Sequence, residues 1–98
     1  MIKSFRDSWL ESFFTDDTHS KKIPANINNQ LFRKLQLLDD AESKKDLLIP
    51  PGNHFEQLSG HLAGKNSIRV NRQWRLIFTW NESNRAATNI YLDKHVYR

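Results

Sequence analysis

From Asn66 to Trp80 polar and apolar residues alternate on both sides of one short break, with Ile68 and Val70 before it and Trp74, Leu76, Phe78 and Trp80 after it. A period of two sends successive side chains to opposite faces of a sheet, so the pattern predicts two half-buried strands joined as a hairpin. The turn decides the pairing. A two-residue loop at Arg72-Gln73 sets Asn71 against Trp74 and Arg69 against Leu76, which mixes the faces. A three-residue loop at Asn71-Arg72-Gln73 sets Val70 against Trp74, Ile68 against Leu76 and Arg69 against Arg75. The second register sends every large apolar residue of the alternation, Trp74 and Trp80 included, to the core, and it asks for positive φ at Asn71 or a neighbour. It also leaves Arg69 and Arg75 side by side on the open face. Like charges directly opposite repel, so such a pair persists where an anion lies between them, and a phosphodiester fits that description.

The first half of the chain has a different period. Phe5, Trp9, Leu10, Phe13 and Phe14 recur at three- and four-residue spacing, which predicts a helix over 7–15 capped by Ser4 or Asp7. Ile2 and Phe5 suit a brief strand ahead of it. Pro24 suits the first turn of a second helix with Ile27, Leu31, Leu35 and Leu38 along its buried stripe. Ser43-Lys44-Lys45-Asp46 has the form of a capping box before Leu47 and Leu48, and Pro50-Pro51-Gly52-Asn53 is expected to end all helical character. A strand near 55–58, a glycine-flanked loop over 59–65, a turn over 81–85 and a last strand over 87–93 complete the chain. Helices first and antiparallel strands afterwards predict an α+β domain, with N-terminal helices packed on one face of a C-terminal antiparallel sheet.

Composition sets the bounds. At 98 residues the chain makes one domain, spanning 1–98, with a modest core. It has no cysteine, so it has no disulfide framework and no thiolate nucleophile, as suits a reducing cytoplasm. The charged N-terminal stretch lacks an apolar run of signal-peptide or membrane-spanning length, and a soluble, cytoplasmic protein is expected. The net charge of +4 is uneven: residues 1–49 hold eight basic and eight acidic side chains, whereas residues 50–98 hold seven basic and three acidic ones. That asymmetry points to a polyanionic partner for the second half, or to a sheet edge protected by basic residues.

The candidate chemistry lies in this basic half. Arg69 and Arg75 present planar forks suited to phosphate oxygens, and Arg72 adds a cation at the turn. RNA is cut without metal when a base activates the ribose 2′-OH, cations stabilise the phosphorane and an acid protonates the leaving 5′ oxygen. His95, with an ordinary pKa of about 6.5, exchanges protons near neutrality, and Asp93 shares its strand parity and can orient it. Tyr91 and Tyr97 share that parity too, and base stacking on an aromatic ring is worth roughly 1–3 kcal/mol. His54, His61, Asp93 and His95 match no recurrent metal-site spacing, so no metal and no cofactor is expected. Taken alone, Asp93 and His95 favour the plainer reading of solvated groups near the chain end.

A longer pattern bears on that choice. Pro51-Gly52-Asn53, Phe55-Glu56-Gln57-Leu58-Ser59-Gly60, Gly64, Ser67-Ile68-Arg69-Val70-Asn71, Gln73-Trp74-Arg75-Leu76 and Asp93-Lys94-His95 together resemble the HigB-like toxins of the RelE/ParE superfamily. The resemblance covers nearly the whole chain. It implies a RelE-like fold and a toxin of a type II toxin–antitoxin system that cuts mRNA during translation as a metal-independent endoribonuclease. The implied partners are the ribosome with its mRNA, a helix-turn-helix antitoxin similar to HigA, and operator DNA only through that antitoxin. It supports catalytic roles for Arg75, His95, Asp93 and Glu56, beside which Arg69, Arg72, Lys94 and Tyr91 are this chain's own candidates for RNA contact. The chain departs from the pattern at Ser59, where a basic residue is usual, at His61-Leu62 in place of Asp-Arg, and at Lys94 in place of tyrosine, with Val96-Tyr97-Arg98 beyond. Lys94 is expected to restore part of the lost positive charge. The alternatives are a ParE-like inhibitor of DNA gyrase and a non-catalytic RNA-binding module.

Overall fold

The computed structural model describes residues 1–94. Three helices come first, α1 (Ser8–Asp16), α2 (Asn28–Asp40) and the single turn α3 (Lys44–Leu47). Four strands follow, β1 (Glu56–Gln57), β2 (Asn66–Arg69), β3 (Trp74–Asn81) and β4 (Ala86–Lys94), in an antiparallel meander of order β1-β2-β3-β4. The α+β layering is the expected one. Leu10 and Phe13 of α1 and Leu31, Leu35 and Leu38 of α2, with Ile27 just ahead of it, pack against Ile68, Leu76, Phe78, Trp80, Ala87, Ile90 and Leu92 of the sheet. Trp80 is buried in this core, but Trp74, also expected there, is only half-buried because it sits beside the turn, at the very end of the hairpin.

The hairpin register is the three-residue one, with Ile68 opposite Leu76 and Arg69 opposite Arg75. Its turn works differently from the expectation: no residue from Val70 to Trp74 has positive φ. The Asn71 side chain makes the turn instead, its Oδ1 accepting the backbone N–H groups of Gln73 at 2.8 Å and Trp74 at 2.9 Å. A side-chain carbonyl that mimics a backbone acceptor closes a tight turn without left-handed backbone.

Positive φ is used elsewhere. Ile77 pairs with Tyr91 but Thr79 pairs with Thr88, so β4 contains one residue more than β3 over this stretch. The bulge centres on Asn89, at φ 54°, a conformation asparagine tolerates better than most residues. Strict alternation would put Ala87 on the face of Tyr91 and Asp93. The bulge shifts the phase, and Ala87 joins Ile90 and Leu92 in the core. The same bulge receives the N-terminal segment, as Asn89 N–H donates to Ser4 Oγ at 3.0 Å. Ile2 and Phe5 bridge Ala87 and Ile90 in parallel, and Arg6 N–H donates to the Ile90 carbonyl at 2.9 Å. The expected brief first strand is reduced to two isolated bridges, which nonetheless cover part of the outer edge of β4, where backbone groups would otherwise be unpaired.

Three cap expectations are corrected. Asp7 stands at the N-cap of α1 in extended backbone, but its carboxylate accepts from Arg6 rather than from the helix. Ser4 is occupied at the bulge. In α3 the capping box does not form: Ser43 makes no side-chain cap, and Asp46 Oδ2 accepts not from Ser43 N–H but from Glu42 N–H, one residue earlier, at 2.8 Å. Helical character also persists past 50, as a 3-10 turn at Pro51–Asn53. Asn53 there is fully buried, donates from Nδ2 to the Leu47 and Ile49 carbonyls, and accepts from Lys34 Nζ, whose burial pushes it below the usual lysine range.

Asn89 provides a direct check of the bulge. Asn89→Gly should leave unfolding free energy unchanged or raise it, and Asn89→Val should lower it by about 1–2 kcal/mol, the cost of left-handed backbone for a β-branched residue. Chemical denaturation of both variants measures this, and a valine variant as stable as the glycine one contradicts the assignment.

Candidate nucleic-acid interface

The sheet face turned away from the helices is built in rows. Arg69, Arg75 and Asp93 lie side by side across β2, β3 and β4, and Glu56, Ser67, Ile77 and Tyr91 form the next row across all four strands. Strand geometry puts neighbours in a row about 4.8 Å apart and the two rows roughly 6.6 Å apart along the strands. Four of the expected site residues, Arg69, Arg75, Asp93 and Tyr91, thus come together with Glu56 on one face. The hairpin register and the bulge produce this arrangement jointly: the first aligns the arginines, the second keeps Tyr91 and Asp93 on their side.

Arg75 is the best held of these groups. Its side chain is 12% exposed, and its Nε donates to Asp93 Oδ2 at 3.0 Å. The anion expected beside the arginines is in part this carboxylate of the chain itself. Asp93, 36% exposed, orients the guanidinium from one edge, which leaves the terminal nitrogens of the fork to a second acceptor. Arg69 lies half-buried on the other side of Arg75.

Tyr91 and Lys94 differ from their expected roles. Tyr91 is only 9% exposed, and one face of its ring carries the Arg6 guanidinium, 3.8 Å from the centroid. That face is closed to a base. Lys94 is exposed but pairs with Trp74, which puts it on the opposite side of the sheet from Arg75 and Asp93. Arg72 is exposed in the β2–β3 turn, and Glu56 is exposed on the short outer strand β1. His95 and Tyr97 lie outside the described residues. His54 is exposed just past the 3-10 turn at Pro51–Asn53 and His61 is exposed in a second 3-10 turn at Gly60–Leu62, and among the described residues no three histidines, cysteines or carboxylates group to hold a metal ion. No helix among those residues is long and apolar enough to cross a membrane.

Two groups at this face carried no signal in the alternation. Arg6 arrives with the N-terminal segment, and Lys65 Nζ lies 5.7 Å from the Tyr91 centroid. Ile77, on the polar side of the alternation, is 1% exposed in the row it shares with Tyr91. A lone isoleucine in an outward row was the one hint that long side chains cover this face.

The Arg75–Asp93 pair is partly solvated, so its contribution to folding is small. Asp93→Asn should cost less than about 1 kcal/mol in chemical denaturation. A loss of several kcal/mol would show that the pair holds the sheet rather than shaping its surface.

Comparison with known proteins follows the same outline. A family model described as the RelE-like toxin of the type II toxin–antitoxin system HigB matches residues 3–95. The chain is 54% identical to toxin HigB-1 of Vibrio cholerae serotype O1 over 99% of its own length and the full length of that protein. It is also 45% identical to an uncharacterized protein of Haemophilus influenzae, over 95% of this chain and 90% of that one.

Proposed function

This chain belongs to the HigB-like family of RelE-like toxins from type II toxin–antitoxin systems, and from that premise we propose that it is a ribosome-dependent mRNA endonuclease. Membership implies a neutralising antitoxin as partner. The observation that best supports the nuclease is the row Arg69–Arg75–Asp93, in which a carboxylate orients one of two facing guanidinium groups on a solvent-facing sheet.

In this reading Arg69 and Arg75 bind the non-bridging oxygens of the scissile phosphate. Negative charge grows on those oxygens in the phosphorane, so fixed guanidinium donors stabilise the transition state more than the ground state. Asp93 is a positioning residue for Arg75. Glu56, one row away, and His95, two residues beyond Asp93, are the proton-transfer groups. The ribose 2′ oxygen bonds to phosphorus as its proton passes to the base, and the P–O5′ bond breaks as the 5′ oxygen takes a proton from the acid. The products are a 2′,3′-cyclic phosphate and a 5′-hydroxyl, and the chemistry calls on no metal ion. Arg72 at the turn adds charge for the flanking strand. The antitoxin in this reading is a helix-turn-helix protein similar to HigA, through which alone the toxin meets operator DNA, and the toxin acts in the cytoplasm.

Primer extension on cellular mRNA after brief expression tests the proposal. Cuts confined to translated frames, and cleavage on purified ribosomes that survives transition-metal chelation at constant magnesium, are the expected results. Intact mRNA alongside trapped gyrase–DNA complexes would replace the proposal with the gyrase-inhibitor alternative. Loss of cutting on chelation, restored by adding the metal back, would overturn the metal-free mechanism.

A further inference from the structure

The charge missing at Ser59 and Leu62 is not recovered by Lys94, which lies on the other side of the sheet. It is recovered around Tyr91. Arg6 stacks on the ring at 3.8 Å and is fixed by its own neighbour, with Nε and Nη2 donating to Asp7 Oδ2 at 3.2 and 3.0 Å. Lys65 reaches the same ring from the far end of the loop that holds Ser59 and Leu62, its Nζ at 5.7 Å from the centroid. Two cations thus share one buried ring in the row beside Arg69 and Arg75. Asp7 offsets the charge of Arg6, whereas Lys65 has no ion pair among the described residues, so the two cations leave a net positive charge beside Tyr91.

We propose that Arg6 and Lys65 form a second phosphate subsite, which takes the RNA backbone one nucleotide along from the phosphate held by Arg69 and Arg75. This rests on the ribonuclease reading above and specifies how the strand lies: across the strands of the sheet at the arginine row, then along them past Tyr91. The ring is a platform for the cations rather than for a base. Arg6 keeps its side chain 55% exposed, and its Nη1 bonds nothing among the described residues, so one edge of the fork is open to an anion. Cation–π contact with Tyr91 and the Asp7 bridge restrain that fork before RNA arrives, which reduces the ordering cost of binding.

The test is binding of a single-stranded 2′-O-methyl RNA oligomer, which resists cleavage, followed by fluorescence anisotropy across a salt series. It compares the wild type with Arg6→Gln, Lys65→Gln, the double variant and Arg6→Lys, with melting temperatures recorded for each. Each glutamine variant should weaken binding about three- to tenfold, and the double variant should reduce the slope of log affinity against log salt by about 0.7, the contribution of one phosphate on a single strand. Arg6→Lys keeps the charge and should keep most of the slope. If Arg6→Gln loosens the N-terminal segment, Lys65→Gln, on a different element, still gives the answer. A folded double variant with wild-type affinity and slope overturns the subsite and leaves the cations a packing role. A folded double variant that cuts mRNA on ribosomes at the wild-type rate and with the wild-type half-saturating concentration sinks the subsite alone, also where the wild type does not bind the free oligomer, whereas a wild type that neither binds RNA nor cuts mRNA sinks the ribonuclease reading with it.

Discussion

The β2–β3 register is the constraint on which the rest of this molecule depends. With Ile68 opposite Leu76 and Arg69 opposite Arg75, one face of the hairpin is apolar and the other carries the guanidinium pair. A slip of one residue would reverse every side chain, burying arginine and exposing leucine and phenylalanine, and the unpaired buried charge would cost several kcal/mol. The Asn71 turn prevents the slip by giving the Gln73 and Trp74 N–H groups an acceptor that exists only in this alignment. Folding and candidate chemistry are therefore fixed by one decision, made over a dozen residues.

The second decision is the bulge at Asn89. It lets β4 serve the core with Ala87, Ile90 and Leu92 while Tyr91 and Asp93 stay with the arginines. It also marks where the N-terminal segment docks, through Ser4 and the bridges of Ile2 and Phe5 to β4. That segment protects a sheet edge, and its next residue, Arg6, lands on Tyr91. A feature that looks like a local irregularity thus connects the start of the chain to the proposed RNA-binding face.

Much of this was legible in the sequence because periodicity reports burial directly. The hairpin register and the stripe Ile27, Leu31, Leu35 and Leu38 both follow from which faces must be apolar. What the sequence concealed depends on contacts between distant segments. Positive φ at the hairpin was a reasonable demand of a tight turn, but a side-chain acceptor met it another way. Tyr91 looked like a stacking platform because parity put it beside Asp93, and nothing local announced that Arg6 would cover it. Lys94 looked like a replacement cation because it is next to Asp93 in sequence, although adjacency in a strand means opposite faces. Trp74 shares the parity of the core but sits at the end of the hairpin, where parity no longer guarantees depth. The hairpin register brought the arginines together and strand parity pointed to Asp93; neither periodicity nor the family resemblance pointed to Arg6 or Lys65, which lie outside the motifs that carry that resemblance.

The central claim is that this sheet divides its labour, with one face holding the fold and the other acting on RNA. Arg75→Met tests it most directly, because methionine keeps an apolar stem over the sheet while removing the fork. The measurement pairs the unfolding free energy with the single-turnover rate of mRNA cleavage on ribosomes for wild type and variant. The account predicts stability within about 1 kcal/mol of wild type and a rate lower by about two to three orders of magnitude, the usual loss for one transition-state donor. A variant that unfolds, or one that stays folded and cuts mRNA at the wild-type rate, would contradict it.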